Sequence, residues 1–193
     1  SKILRVGGNI GLTYTKNDRV RTGEAGGLGA AQLLLPYIPI NDEQGEYYQE
    51  VFNPVWALEN QSFVANNIRT IGSIYAEINL HKNLKFHSDI GVDFLNIQED
   101  EFNYRNVTNP ASTSSAWDRT TRVINWTNNN YLTYEKDFKE THNLKVMAGQ
   151  SSQKLTSTGF GLFGYDFPND YLSSPSDAPV ENQSGYSYEQ GET

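Results

Sequence analysis

The residues of this chain best suited to chemistry are His87, Asp89 and Asp93, which fall on one side of any extended segment that contains them. An imidazole with two carboxylates could hold a hydrated metal ion or move a proton. A metal centre needs further ligands in reach, and Lys85 on the same side offers Asp89 a neutralising partner, so the set reads as a wet polar wall. Gly159-Phe160-Gly161-Leu162-Phe163-Gly164 matches G-x-G-x-x-G, but Tyr165-Asp166-Phe167-Pro168 does not open the helix that a dinucleotide phosphate requires. Asp42, Glu43 and Glu46, and Glu99-Asp100-Glu101, lack the spacing of a calcium loop and read as solvated loop charges. Sequons at Asn60, Asn106, Asn125 and Asn182 read as chance matches in an Asn-rich chain. There is no Cys, and no G-x-S-x-G, H-E-x-x-H or P-loop motif, so the expectation is no catalytic residue, no cofactor and no metal: not an enzyme.

The elements that position these residues must come from 193 residues with 37% hydrophobic and 20% charged content, inside the range of folded chains. Fifteen Lys plus Arg against 23 Asp plus Glu leave a net charge of -8, which repels polyanions and excludes nucleic acid as a partner. The longest apolar stretch, Leu28 to Ile38, is broken by Gln32 and Pro36 and is too short for a membrane-spanning helix. The start, Ser1-Lys2-Ile3-Leu4-Arg5, has no apolar signal core, so an export signal is expected to have been removed or to lie outside this sequence. Twelve Tyr, nine Phe and three Trp with a mean hydropathy of -0.61 suit strands with one apolar and one polar face.

Alternation is sustained in five runs. Leu4, Val6, Ile10, Leu12 and Tyr14 oppose Arg5, Asn9 and Thr13; Ile68, Ile74, Ala76 and Ile78 oppose Arg69, Ser73 and Glu77. After His81-Lys82-Asn83, Leu84, Phe86, Ile90, Val92 and Phe94 oppose Lys85, His87, Asp89 and Asp93, which makes a hairpin. A second hairpin joins Ile124 to Glu135, weak at Asn128-Asn129-Asn130, with a strand beginning at His142. Strands are expected near 3–16, 67–80, 84–97, 122–135 and 142–160. The gaps alternate between short turns and long loops at 17–66, 98–121 and 161–193, a pattern of outer-membrane barrels rather than of compact soluble domains. A charge facing acyl chains costs about 2 to 4 kcal/mol at midplane, which accounts for the uncharged even-numbered faces of the first three runs. Only a helix or a closed sheet satisfies its backbone in lipid, and no long helix is available. Tyr14, Phe94, Tyr134 and Phe138 would form interfacial girdles.

The succession Leu4-Arg5-Val6-Gly7-Gly8-Asn9-Ile10, Pro36-Tyr37-Ile38-Pro39-Ile40-Asn41-Asp42-Glu43-Gln44-Gly45, and Asn53-Pro54-Val55-Trp56-Ala57-Leu58 resembles the barrel of SusC/RagA-type TonB-linked outer-membrane transporters of Bacteroidetes. Gly72-Ser73-Ile74-Tyr75-Ala76-Glu77, Gly91-Val92-Asp93-Phe94, Asn128-Asn129-Asn130-Tyr131-Leu132-Thr133-Tyr134, His142-Asn143-Leu144-Lys145-Val146-Met147-Ala148-Gly149 and Phe167-Pro168-Asn169-Asp170 extend the resemblance over nearly the whole chain. It implies an all-β, antiparallel transmembrane β-barrel segment, about five strands of a 22-stranded barrel, with long extracellular loops. The domain is then 1–193, a partial barrel with the plug domain absent. The implied function is TonB-coupled import of glycans or peptides across the outer membrane, with a SusD-like lipoprotein as partner, the lipid bilayer as surroundings, and TonB engaged through a plug and TonB box that this sequence lacks.

On that reading Arg5, Asn9, Arg69, Glu77, Lys85, His87, Asp89 and Asp93 face the lumen, and Tyr37, Tyr47, Tyr48, Trp56, Trp117 and Tyr171 contact ligand or lid, joined by Phe52, Tyr186 and Tyr188. The alternatives are a secreted carbohydrate-binding β-sandwich with the apolar faces in its core, and an outer-membrane barrel that transports nothing.

Overall fold

A computed structural model describes residues 3–20, 29, 31–32, 34–47, 53–105, 113–138, 142–169 and 171–192. Among them one antiparallel sheet dominates, with strands in chain order: β1 (Leu4–Asp18), β2 (Gln61–His81), β3 (Leu84–Asn103), β4 (Ser115–Phe138), β5 (His142–Tyr165) and β6 (Gln183–Glu192). Each strand pairs only with its neighbours in sequence, so the sheet is a meander whose connections alternate between tight turns and long excursions. A short helix, α1 (Pro54–Glu59), precedes β2; Asn53 caps it, its side-chain oxygen accepting from Val55 N at 3.0 Å and its amide donating to Ile40 O at 2.7 Å.

Two expectations are corrected here. The sheet has six described strands, not about five, because residues 183–192 pair with Leu155–Gly164 although they were expected in an outer loop. The strands also run past the apolar runs: 61–66, 98–103, 115–121 and 161–165 are strand, and Asn128-Asn129-Asn130 continues β4 without a break. Backbone pairing is indifferent to side-chain polarity, so a ladder nucleated by an apolar stripe can extend beyond it. Trp117, Tyr186 and Tyr188 consequently stand on strands rather than in loops.

The register aligns the period-2 patterns of the first four strands. Gly8, Ile74, Ile90 and Asn128 form one cross-strand row, Ile10, Gly72, Val92 and Trp126 the next, and Leu12, Thr70, Phe94 and Ile124 a third, all on one face. That face is bare: Ile10 is 81% and Leu12 73% exposed, and no second sheet covers it among the described residues. A β-sandwich would bury these side chains beneath a second sheet, which the described residues do not form. Its interruption at Asn128, Asn130, Gln150 and Ser152 is internally bonded, Asn130 to Asn128 and Gln150 to Ser152, both at 2.6 Å.

Burial occurs at the far end of the sheet instead. Phe102 and Ala116 pack with Phe167, Ala178 and Leu172, where the β5–β6 connection folds back over the strand ends. A Cβ on Gly164 would lie 2.6 Å from Pro175 O, so only glycine allows that close approach.

Candidate functional site

All the charged-face candidates, Arg5, Asn9, Arg69, Glu77, Lys85, His87, Asp89 and Asp93, share the face opposite the bare apolar one. Arg5, Glu77, His87 and Tyr131 make one cross-strand row, and Tyr75, Asp89, Asn129 and Ser151 the next. His87 lies between two rings, stacked on Tyr131 at 4.6 Å and Tyr75 at 5.6 Å. Its Nε2 is 3.5 Å from Asp89 Oδ1. Asp89 accepts from Asn129 Nδ2 at 2.8 Å, and Asn129 Oδ1 accepts from Ser151 Oγ at 2.7 Å, so a polar chain crosses β3, β4 and β5. Lys85 is not the ion partner of Asp89 that the sequence suggested; His87 and Asn129 occupy that carboxylate. Arg69 clasps Asp93 in a two-pronged pair, Nε to Oδ1 at 3.0 Å and Nη2 to Oδ2 at 2.6 Å. With Asp93 so engaged, no group of three His, Asp or Glu suited to a metal forms among the described residues. Asn9 Oδ1 accepts from both the backbone and the hydroxyl of Ser73 at 3.0 Å.

Glycines give the large rings of this face their room. A Cβ on Gly7 would come within 2.5 Å of the Tyr75 ring, and the same holds for Gly159 beneath Tyr188. Tyr186 lies over Gly161 in the same way. Each ring covers the backbone that its glycine leaves bare, which pins the register of the pair.

Further along the same face a second cluster stands where β2, β3, β4 and β5 outrun the apolar stripe. Arg119 reaches Glu101 at 3.2 Å and Glu99 at 3.9 Å, and Arg19 pairs with Glu99 from the other side. Phe63 lies between the guanidinium groups, 5.3 Å from that of Arg19 and 5.7 Å from that of Arg119. Trp117 packs on Phe163 at 4.5 Å, and Phe163 on Tyr165 at 5.8 Å, forming an aromatic ledge. A recess of about 730 Å³ is lined by Arg19, Phe63, Glu99, Glu101, Trp117 and Arg119. The charges cancel in pairs and the rings remain partly open, so the recess suits an amphipathic solute better than an ion.

Of the aromatics expected in loops, only Trp117 lines this recess among the described residues. Tyr171 is 96% and Tyr37 79% exposed, while Tyr47 donates to Glu59 beside α1, which carries Trp56. Tyr48 and Phe52 lie outside the described residues. Sequence reasoning missed Phe63, Glu99, Glu101, Arg119 and Phe163, because they fall where strands were not expected. Their signal was alternation of another kind: Phe63, Ala65 and Asn67, then Glu99 and Glu101, then Trp117, Arg119 and Thr121 keep the odd-numbered period running.

A meander with one bare apolar face and one hydrogen-bonded, charged face is the wall of an antiparallel transmembrane barrel. Comparison with known proteins agrees. The chain is 27% identical over 176 residues to TonB-dependent receptor P26 of Formosa agariphila, covering 82% of this chain, and 25% identical over 181 residues to TonB-dependent receptor P39 of the same organism, covering 90%. It spans 17% of the length of each of these curated relatives. No family model matches the chain. In fold it superposes on the RagAB peptide transporter with a TM-score of 0.78 over 99% of its length at 18% identity, and on the RagAB peptide importer in its closed-closed state with a TM-score of 0.76 at 19% identity. It covers 23% of each of those chains. The chain is thus similar in sequence to TonB-dependent receptors and in fold to a stretch of barrel of the SusC/RagA type.

Proposed function

We infer that this chain is part of the wall of an outer-membrane importer that takes up glycans or peptides, coupled to TonB through a plug domain and working with a SusD-like surface lipoprotein. The observation that supports this most is the single sheet whose exposed aliphatic face is uncharged from Leu4 to Tyr14 on β1 and from Ile68 to Leu80 on β2, opposite a face of paired ions and amides. Lipid takes the first face and the lumen the second. Arg5, Asn9, Arg69, Glu77, Lys85, His87, Asp89 and Asp93 then line the passage or touch the plug. The recess around Trp117 lies at its outer mouth, where rings can meet a sugar face or a peptide side chain. The work is binding and passage, with no bond made or broken. The relatives and structural neighbours are receptors and transporters by name, which supports that reading.

The test is uptake of labelled oligosaccharides and peptides by cells carrying the intact receptor. Uptake that stops with a protonophore, and that falls several-fold in Trp117→Ala while the receptor level in the outer membrane is unchanged, is expected. Uptake indifferent both to the protonophore and to removal of the receptor overturns the proposal and leaves a barrel without transport.

A further inference from the structure

A second recess, of about 480 Å³, opens on the other side of the sheet, across β4, β5 and β6. Thr120, Phe160 and Ser187 form one cross-strand row of its lining, and Arg122, Thr158 and Glu189 the next. The alternation along β4 puts these side chains on the face of Ile124 and Trp126, away from the lumen. Ile124 is the last outward apolar residue of β4 before Arg122, Thr120 and Asp118 take over. A strand tilted by about 40° climbs roughly 2.5 Å per residue, so Arg122 sits about 5 Å beyond that edge, at the height of head groups and lipid-borne sugars.

The lining has the chemistry for such a neighbour. Arg122 forms no ion pair among the described residues, whereas Arg19, Arg69, Arg105 and Arg119 all do. A free guanidinium presents a fork that fits phosphate or carboxylate. Thr120, Thr158, Ser187 and Glu189 supply hydroxyls and an acceptor for sugar hydroxyls. Phe160, 52% exposed, offers a ring face between them. We propose that this recess binds the acidic saccharide head region of an outer-leaflet glycolipid, with Arg122 on its anionic group and Phe160 beneath a sugar ring. The membrane favours the lipid-borne form over a free saccharide, because a glycolipid anchored beside the barrel meets the recess at high effective concentration. The proposal rests on the membrane reading for which face looks outward.

The experiment uses the intact receptor reconstituted in phosphatidylethanolamine vesicles with purified, phosphorylated rough-type lipopolysaccharide, with retained glycolipid counted by native mass spectrometry. Arg122→Gln and Phe160→Ser are expected to weaken retention about fivefold each, the scale of one partly exposed ionic or ring contact. Lys16→Gln, on the same face of β1 but outside the recess, is expected to retain glycolipid like the parent. Dephosphorylated lipopolysaccharide is expected to be held as weakly as by Arg122→Gln. Equal retention by parent, Arg122→Gln and Phe160→Ser overturns the proposal, and so does a soluble phosphorylated core oligosaccharide that occupies the recess as tightly as the lipid. Flotation of the same vesicles reads the membrane assignment separately: a receptor that inserts but holds no glycolipid sinks only this proposal, and one that does not insert sinks both.

Discussion

Replacing Ile74 with arginine is the sharpest perturbation of the apolar face. Ile74 is exposed on β2, in a row with Gly8 and Ile90, and lies six residues from both Ile68 and Leu80, the ends of the uncharged stripe. At roughly 2.5 Å of climb per residue that is about 15 Å to either end, close to half the thickness of a hydrocarbon core. A guanidinium there cannot snorkel fully to either surface, and the cost at midplane is about 2–4 kcal/mol. Asn66→Arg, on the same face but beyond the stripe, is expected to cost about 0–1 kcal/mol. Thr127→Arg, on the polar face of β4, is expected to stay in the same small range because water reaches it. The assay is guanidinium-induced unfolding of the intact receptor in lipid vesicles, followed by tryptophan fluorescence. Equal losses for Ile74→Arg and Thr127→Arg would refute the reasoning, since neither face would then be distinguished by its solvent.

Three further outcomes follow from the geometry. Gly161→Ala brings a Cβ to 2.6 Å from the Tyr186 ring and is expected to cost about 1–3 kcal/mol in the same assay, part of which Tyr186→Ser restores in the double variant. Arg69→Gln breaks the clasp on Asp93, yet both side chains are partly exposed and screened by water, so little or no loss of stability is expected. Asp118, on the outer extension of β4 beyond the membrane stripe, has its carboxyl pushed up from the usual range by burial first and by facing Asp100 second. A raised value means the stability is whole below the ordinary carboxylate value near 3.9 and is lost as pH rises through the folded value. Asp118→Asn is therefore expected to remove that loss and be the more stable form at neutral pH, which thermal unfolding at acid and neutral pH would show.

How far the sequence revealed this depends on which force shaped each segment. The membrane stripe was legible because hydrocarbon imposes a strict rule on alternate side chains, as from Leu4 to Tyr14. The face shared by Arg69, His87 and Asp93 followed from the same parity. Strand β6 was not legible: its alternate residues Gly185, Ser187, Glu189 and Gly191 oppose Tyr186 and Tyr188, and neither set is apolar. Backbone pairing and the fit of those tyrosines over Gly161 and Gly159 hold it in place, and both depend on a neighbour far away in sequence. The cluster around Arg119 was hidden for a related reason, since Arg119, Glu99 and Phe63 meet only through the registers of three strands. The aromatic sandwich around His87 likewise needs β2, β3 and β4 side by side.

The most direct measurement is a nitroxide scan along β2, one label at a time from Thr70 to Ile78, in the intact receptor in a bilayer. Even-numbered positions are expected to be accessible to dissolved oxygen and odd-numbered ones to a water-soluble nickel chelate, in strict alternation. Uniform accessibility to the chelate at every position would show that the aliphatic side does not face lipid and would contradict the account.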